Sequence, residues 1–216
     1  MVINFLGDSI TQGAGASVPE NSYVNLVGKT LGCTARNYGV GGTRIARQKT
    51  PSVMEIFDQD FLLRSKDMED ADFLFIFGGT NDFGHGDAEL GELDGEDIYT
   101  FCGALNALFK GMISRFGREN ICVILPLARH DENSPYGDGS KPKAGPLLKE
   151  YRACMESLTK KWGLETLAFD EEFPTPQTNT GDDLTMDGLH PNDKGHKLLA
   201  DKICAYLRAR FGGSLL

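Results

Sequence analysis

The fold is decided by the stretch FLFIF at residues 73–77, which runs directly into the polar turn GGTND at residues 78–82. The first five residues are all apolar, which is typical of a β-strand that is buried on both faces. Strands of this kind belong to parallel sheets that are covered by helices on both sides. The glycine pair predicts a sharp turn at the end of the strand, followed by polar side chains at the edge of the sheet.

Short apolar runs and helical patterns alternate on both sides of this stretch. Four further strands are predicted at residues 2–6, 34–38, 121–125 and 164–169. Apolar residues at helical spacing predict helices that begin near Ser22, Phe101, Leu147 and Asn192. Five strands separated by helices predict an α/β fold with one parallel sheet between two helical layers. Because no linker, low-complexity tract or internal repeat interrupts the pattern, we expect residues 1–216 to form a single domain.

The composition excludes several classes of protein. Apolar residues make up 40% of the 216 residues and charged residues 25%, so the chain is an ordinary globular protein rather than a disordered or fibrous one. Lysine and arginine number 22 against 31 aspartates and glutamates, which gives a net charge of −9. A chain this acidic repels nucleic-acid phosphates and anionic lipids, so neither nucleic acid nor a membrane is an expected partner.

The cysteines and the N-terminus predict where the protein resides. The five cysteines are widely spaced and include no C-x-x-C pair: Cys33, Cys102, Cys122, Cys154 and Cys204. This pattern favours free thiols in a reducing compartment over a disulfide framework. No apolar run approaches the roughly 20 residues of a membrane span, and the N-terminus lacks the basic region of a signal peptide. We therefore expect a cytoplasmic protein.

Ser9 is a candidate nucleophile. In a parallel sheet, functional residues gather in the loops that follow the C-terminal ends of the strands, and Ser9 follows the first strand between Asp8 and Ile10. A sharp turn from strand to helix would hold the hydroxyl rigidly, with a backbone N–H beside the oxyanion that forms on attack. The alternative interpretation is that Asp8 and Ser9 only cap the following helix.

Asp187 and His190 are a candidate acid and base. Their spacing lets the carboxylate meet the imidazole Nδ1–H, which leaves Nε2 directed towards a nucleophile. The alternative is a solvated surface turn. The remaining histidines compete as bases: His85 is expected to be a solvated loop residue, His196 to decorate the last helix, and His130 to lie in a polar loop.

Asn81 and Gly42 are candidate donors to an oxyanion. The Asn81 amide can donate to a developing negative charge, although Asn-Asp after a glycine pair is also common turn chemistry. Gly42 ends the segment GVGG at residues 39–42, and its backbone N–H can donate in the same way. The alternative for Gly42 is a tight turn that needs a positive φ angle.

Cofactor motifs do not match this chain. Neither a dinucleotide-binding loop nor a phosphate-binding loop occurs. A group of acidic residues and histidines near the end of the chain fits no metal-ligand spacing: Asp182, Asp183, Asp187, His190 and His196. We therefore expect no metal and no cofactor.

Together, four short motifs resemble the SGNH subgroup of the GDSL family of esterases and lipases, and they follow the family's order. They are GDS at 7–9, the second-block glycine at Gly42, GTND at 79–82 and DGLH at 187–190. Isoleucine stands where the family name has leucine, and Gly39 is the alternative for the second block. The motifs extend over nearly the whole chain.

The resemblance implies both a fold and a mechanism. The fold is a flavodoxin-like α/β/α sandwich of three layers with the strand order 2-1-3-4-5. Ser9 would attack a carboxylic ester, His190 would take its proton, and Asp187 would orient the imidazole. The Ser9 and Gly42 N–H groups and the Asn81 amide would form the oxyanion hole, and an acyl-enzyme would then be hydrolysed without a cofactor.

The resemblance leaves several substrates and activities open. Members of the family act on acetylated sugars, short-chain esters, lysophospholipids and thioesters. The segments expected to wall the pocket, residues 83–97 and 128–146, are polar and glycine-rich and lack the apolar patch that long acyl chains need. We therefore expect a small ester with a short acyl group, such as acetyl on a carbohydrate. The alternatives are acyl transfer, lysophospholipase or thioesterase activity, or a non-catalytic binding domain.

Overall fold

Five parallel strands form the centre of the structure, a computed structural model that describes residues 1–51 and 54–212. The strands are β1 (Val2–Gly7), β2 (Thr34–Gly39), β3 (Phe73–Phe77), β4 (Ile121–Ile124) and β5 (Glu165–Leu167). They lie in the order β2-β1-β3-β4-β5. The predicted α/β class, the parallel sheet and the flavodoxin-like strand order are therefore confirmed.

Helices connect the strands and cover both faces of the sheet. In chain order they are α1 (Ser9–Gln12), α2 (Tyr23–Leu31), α3 (Phe61–Arg64), α4 (Thr80–His85), α5 (Phe101–Phe116), α6 (Leu148–Trp162) and α7 (Asp193–Phe211). Single turns of 3-10 helix occur at Pro19–Asn21, Glu55–Asp58, Ser65–Asp67 and Arg118–Asn120. The short helices α1 and α4 directly follow β1 and β3, so their first residues lie at the C-terminal edge of the sheet.

The alternation of side chains along β3 divides the core into two layers. Leu74 and Ile76 pack in the cluster that includes α5 and α6. Phe73, Phe75 and Phe77 pack in the cluster that includes α2 and α7. None of the five side chains is more than 2% exposed. An entirely apolar strand is therefore required here, because both of its faces are buried.

β5 is shorter than the strand predicted at residues 164–169. Leu164 and Phe169 are buried, but only the three residues of Glu165–Leu167 pair with β4. β5 is the edge strand and β4 is its only neighbour in the sheet. Because β4 ends at Ile124, which is paired with Leu167, the ladder ends there as well.

The prediction of free thiols is wrong for one pair of cysteines. Cys102 on α5 and Cys154 on α6 form a disulfide, with their Cα atoms 6.6 Å apart. The two residues are separated by 52 positions, so no local spacing in the sequence reveals the pairing. Cys33, Cys122 and Cys204 are free. Because disulfides persist in oxidising surroundings, the cysteines no longer indicate a reducing compartment.

Among the helices of the described residues, none combines the length and the apolar character needed to cross a bilayer.

Candidate active site

The turn after β1 carries the predicted nucleophile. β1 ends at Gly7 and α1 begins at Ser9, so only Asp8 separates the strand from the helix. The Asp8 carboxylate accepts a hydrogen bond from the Ile10 N–H at 3.0 Å and thereby caps α1. A Cβ at Gly7 would lie 1.9 Å from the Thr11 hydroxyl, so only glycine allows so tight a turn. The capping interpretation therefore holds for Asp8, whereas the Ser9 hydroxyl is directed elsewhere.

Ser9, His190 and Asp187 form a continuous chain of hydrogen bonds. Ser9 Oγ lies 3.0 Å from His190 Nε2, and His190 Nδ1 lies 2.7 Å from Asp187 Oδ2. Because the carboxylate accepts a hydrogen bond from the Nδ1–H group, Nε2 can accept the proton of the serine. The other Asp187 oxygen accepts the backbone N–H groups of Leu189 at 3.1 Å and of His190 at 2.7 Å, which fixes the loop.

Asp8, which precedes the nucleophile, and Asp187 have pKa values that are shifted in opposite directions. Burial raises the pKa of Asp8 to about 6, although the Ile10 N–H, His190 and Arg64 act against the increase. Burial also acts to raise the pKa of Asp187, but the hydrogen bonds from His190 outweigh it and hold that pKa below its usual range. Asp187 is therefore ionised at neutral pH and can stabilise an imidazolium.

The segment that follows α1 is attached to the segment that carries His190. A Cβ at Gly15 would lie 2.2 Å from the Pro191 carbonyl oxygen, so the two backbones touch. His196 Nε2 lies 3.1 Å from the Ala14 carbonyl oxygen, and its Nδ1 accepts the Tyr23 N–H at 3.3 Å. These contacts couple the position of α1, which begins at Ser9, to the position of His190.

His196 is a core residue, so the prediction that it decorates the last helix is wrong. Its side chain is fully buried and stacks against the ring of Tyr23 on α2. Burial lowers the pKa of His196, which keeps the imidazole neutral. Both ring nitrogens are bonded to the backbone, so neither is available to act as a base.

Asn81 lies at the start of α4 with its amide at the C-terminal edge of the sheet. The side chain is 5% exposed, and its Nδ2 donates to the Thr43 carbonyl oxygen at 3.0 Å. This bond uses one of the two amide hydrogens and fixes the plane of the amide. It also ties the turn after β3 to the loop after β2, which carries Gly42.

The structure distinguishes between the two candidate glycines of that loop. The Gly39 N–H donates to Asn37 Oδ1 at 2.8 Å, and a Cβ at Gly39 would lie 2.1 Å from the Gln12 nitrogen. Gly39 is therefore required for close packing against α1, and its N–H is already engaged. Gly42 has a φ angle of 75°, and within the described residues no acceptor engages its N–H. Gly42 is the better candidate for an oxyanion donor.

Asp82 holds the same loop, a contact that the sequence did not predict. Its two carboxylate oxygens accept the N–H groups of Ile45 and Ala46, each at 2.9 Å. Burial raises the pKa of Asp82, against the effect of these two bonds. The last residue of the GTND motif therefore positions the loop that carries Gly42, rather than facing solvent in a turn.

In the described part of the chain, no hydrogen bond joins His85 or His130 to Ser9. His85 Nδ1 lies 3.1 Å from Asp138 Oδ2, and its Nε2 lies 3.4 Å from the Gly42 carbonyl oxygen. The expectation of a solvated loop residue is therefore wrong for His85, which bridges two loops. His130 is exposed, and its backbone N–H donates to Gly188 at 3.0 Å.

Arg64 is a further residue that the sequence did not single out. Its buried guanidinium donates to the carbonyl oxygens of Gly7 at 2.7 Å and Tyr38 at 2.8 Å. These carbonyls lie at the ends of β1 and β2, immediately before the turn of Ser9 and the loop of Gly42. Burial lowers the pKa of Arg64 to about 10, although Asp8 acts to raise it. No local pattern around Arg64 signals this contact.

The acidic residues near the start of α7 have partners of their own. Asp182 Oδ1 accepts the N–H groups of Leu184 and Thr185, and Asp183 pairs with Lys194. Across residues 1–51 and 54–212, no three histidine, cysteine or acidic side chains are grouped so that they could hold a metal ion.

Comparison with known proteins places this chain in a family. The model of the GDSL-like lipase/acylhydrolase family matches residues 5–198. A solved structure from Lactobacillus plantarum is similar at 25% identity with a TM-score of 0.78, covering 96% of both chains. No curated protein matches the chain at a significant level.

Two more distant structures share the fold. One is a carbohydrate acetylesterase from Sinorhizobium meliloti, at 16% identity with a TM-score of 0.65, over 96% of this chain and 98% of that one. The other is an acetyl xylan esterase, at 20% identity with a TM-score of 0.65, over 96% of this chain and all of that one (100%). The family match covers most of the chain and includes all four motifs. The chain therefore belongs to the GDSL-like lipase/acylhydrolase family and is a carboxylic ester hydrolase with the SGNH fold.

Proposed function

We propose that the protein hydrolyses esters of short acyl groups, above all acetyl groups on a carbohydrate or another small alcohol, through an acyl-enzyme on Ser9. The observation that carries this proposal is the chain of hydrogen bonds from Ser9 Oγ through His190 to Asp187. A serine, an imidazole and a carboxylate in this order activate the serine hydroxyl for nucleophilic attack on an ester.

The proposed reaction proceeds in two halves. Ser9 Oγ attacks the ester carbonyl carbon while His190 Nε2 takes the hydroxyl proton, and Asp187 stabilises the resulting imidazolium. His190 then gives this proton to the departing alcohol, which leaves an acyl group on Ser9. A water molecule attacks the acyl-enzyme and transfers its proton to His190, and the carboxylic acid leaves as Ser9 recovers its proton.

The charge that develops on the carbonyl oxygen needs donors that are already oriented. The candidates are the Ser9 N–H, the Gly42 N–H and the second hydrogen of the Asn81 amide. The bond from Asn81 to Thr43 keeps this amide from rotating, so little reorganisation is needed when the charge appears. Asp82 and Arg64 position the loop and the strand ends that carry these donors.

Two lines of support favour acetyl esters of carbohydrates over long-chain lipids. The carbohydrate acetylesterase and the acetyl xylan esterase that share this fold act on acetylated sugars, as their names say. The segments 83–97 and 128–146 are also polar and glycine-rich in sequence, and the cavity between them, about 190 Å³, is smaller than the pockets that hold large ligands.

A series of substrates tests this proposal. We expect the kcat/KM for 4-nitrophenyl esters to be highest for acetate and to fall steadily towards laurate. We also expect acetate release from acetylated xylo-oligosaccharides, and none with the Ser9→Ala variant. A maximum at long acyl chains, or acetate release that survives Ser9→Ala, would overturn the proposal.

A further inference from the structure

A cavity lies between the loops that follow β3 and β4. It has a volume of about 190 Å³ and is lined by residues 86–90, residues 141–146 and Tyr151. The loops attached to it belong to the same edge of the sheet as Ser9. His85, one residue before the cavity wall, approaches the Gly42 carbonyl oxygen at 3.4 Å. The cavity is therefore next to the loop of the proposed oxyanion hole.

The walls of the cavity are mostly apolar, with charged side chains at Asp87, Glu89, Lys141 and Lys143. Lys141 lines the cavity, and its Nζ lies 5.8 Å from the ring centroid of Phe83 and 5.4 Å from that of Tyr151. Its one hydrogen bond to another described residue is long, 3.4 Å to the Tyr151 hydroxyl. Within the described residues, Lys141 pairs with no carboxylate. The ammonium therefore has at least two donor hydrogens without a protein acceptor.

The carboxylates near Lys141 are engaged elsewhere. Asp82 accepts two backbone N–H groups of the oxyanion loop, and Asp138 accepts from Ser140 and His85. At the cavity wall, Asp87 accepts the backbone N–H groups of residues 49 and 50, and Glu89 lies 3.8 Å from Lys143. Lys143 has Glu89 beside it, so Lys141 is the lysine of the cavity lining that has no carboxylate partner among the described residues.

A partly desolvated ammonium gains most from an anion that shares its cavity. Burial lowers the pKa of Lys141, although Asp82 and Asp138 act to raise it, so the charged form is short of partners. The two rings offset part of this cost through cation–π attraction, but they do not replace hydrogen-bond acceptors. A carboxylate supplies these acceptors, and an apolar body attached to it would cover the proline, leucine and alanine walls.

We propose that this cavity binds a ligand that carries a carboxylate on a compact apolar body, with Lys141 as the cationic partner. The carboxylate can belong to the far end of the ester substrate or to a separate small molecule, and the chemistry at Lys141 is the same in both cases. The first source rests on the proposed esterase function, whereas binding itself does not.

Binding of benzoate to the Ser9→Ala variant tests the proposal without any hydrolysis. Calorimetry or protein-observed NMR should show saturable binding of benzoate and binding of benzyl alcohol that is at least tenfold weaker. Lys141→Met should raise the Kd for benzoate at least tenfold, whereas Lys141→Arg should retain most of the affinity. Lys149→Met, which removes an exposed charge outside the cavity, is the matched control and should bind benzoate as before.

Three results would overturn the proposal. They are the absence of saturable benzoate binding, equal affinity for benzoate in Lys141→Met, and an equal loss of affinity in Lys149→Met. Should Lys141→Met fail to fold, reductive methylation of the Ser9→Ala protein gives the same answer, because benzoate should slow labelling of Lys141 and not of Lys149. Equal protection, or none, would contradict the assignment.

Kinetics then identify the source of the carboxylate. The first comparison uses 4-acetoxybenzoate and its methyl ester as substrates. If the free acid has the lower KM, and if this difference in KM is lost in Lys141→Met, the cavity binds the ester substrate. Benzoate that alters the turnover of 4-nitrophenyl acetate without competing with it assigns the cavity to a separate ligand. Absence of all esterase activity would defeat the proposed function, yet the binding result would stand.

Discussion

Asp187–His190 and Asp193–His196 have the same spacing and lie six residues apart, yet the structure uses them in opposite ways. Asp187 contacts the His190 ring, and the other ring nitrogen faces Ser9. Asp193 instead accepts hydrogen bonds from Ser17, and both nitrogens of the buried His196 are bonded to the backbone. A histidine can act as a base only when one of its nitrogens is left for the reacting group. The difference lies in the partners, not in the spacing.

Replacing His190 and His196 in separate variants should give the largest difference in kcat between the two Asp–His pairs. His190→Ala should lower kcat on the order of 10⁶-fold, the scale seen when a serine triad loses its base, with little change in stability. His196→Phe should lower kcat less than tenfold but destabilise the fold by roughly 1–3 kcal/mol, because two buried backbone groups lose their partner. Steady-state kinetics and denaturant unfolding separate the two effects. Similar losses of kcat in both variants would contradict the different roles assigned to His190 and His196.

Replacing Asp187 should also lower kcat more than replacing Asp193, but the difference should be smaller than that between the two histidines. Asp187→Asn keeps the shape but favours the wrong tautomer of His190, so we expect a loss in kcat on the order of 10⁴-fold. Asp193→Asn alters only contacts to the loop after α1 and should change kcat little. The kcat values of the two variants, measured at saturating ester concentration, test this prediction. An Asp187→Asn variant with full activity would show that another group orients the imidazole.

Asn81 tests the oxyanion side of the site. If its amide stabilises the charged oxygen, Asn81→Ala should lower kcat by roughly 10²–10³-fold, equivalent to about 2.7–4 kcal/mol. KM should change little, because the uncharged ester gains little from this donor. A folded variant that keeps its kcat but melts at a lower temperature would assign Asn81 to turn formation alone.

Asp8, the residue before Ser9, should affect the stability of the fold in a manner that depends on pH. Its pKa rises from 3.8 to about 6 in the folded state, so the folded protein holds a proton that the unfolded chain releases between these values. Stability from this group is therefore present below pH 3.8 and lost as the pH rises through 6. Asp8→Asn keeps the cap and cannot ionise, so it should gain up to about 3 kcal/mol over the wild type between pH 4 and 7.

Unfolding free energies of the two proteins, measured across this pH range, check the prediction for Asp8. A difference that is constant with pH would show that Asp8 does not titrate with folding. Because the charge of Arg64 acts to lower the pKa of Asp8, the same series in Arg64→Met would show how much the guanidinium limits the rise of that pKa.

The site residues that were predictable share a local signal. Ser9, Asn81 and the DGLH segment each follow or adjoin an element whose end is visible in the sequence, and the parallel sheet brings those ends to one edge. The spacing D-x-x-H was not sufficient, because it also occurs at Asp82–His85 and Asp193–His196. What distinguishes them is burial and the choice of partner.

The residues that hold the site in place were not predictable in the same way. Arg64 bonds two strand ends, Asp82 holds a loop 36 and 37 positions away, and the disulfide joins Cys102 to Cys154 across 52 positions. Such contacts depend on the final packing of elements, and no periodicity encodes them. The length of the edge strand β5 was overestimated for a related reason, because it is limited by the length of β4.

The most direct test of the account is covalent labelling by a fluorophosphonate probe, with the adduct located by mass spectrometry. The account predicts one adduct on Ser9 in the wild type and in His196→Phe, and a labelling rate reduced by orders of magnitude in His190→Ala. Labelling of His190→Ala at the wild-type rate, or an adduct on a residue other than Ser9, would contradict it.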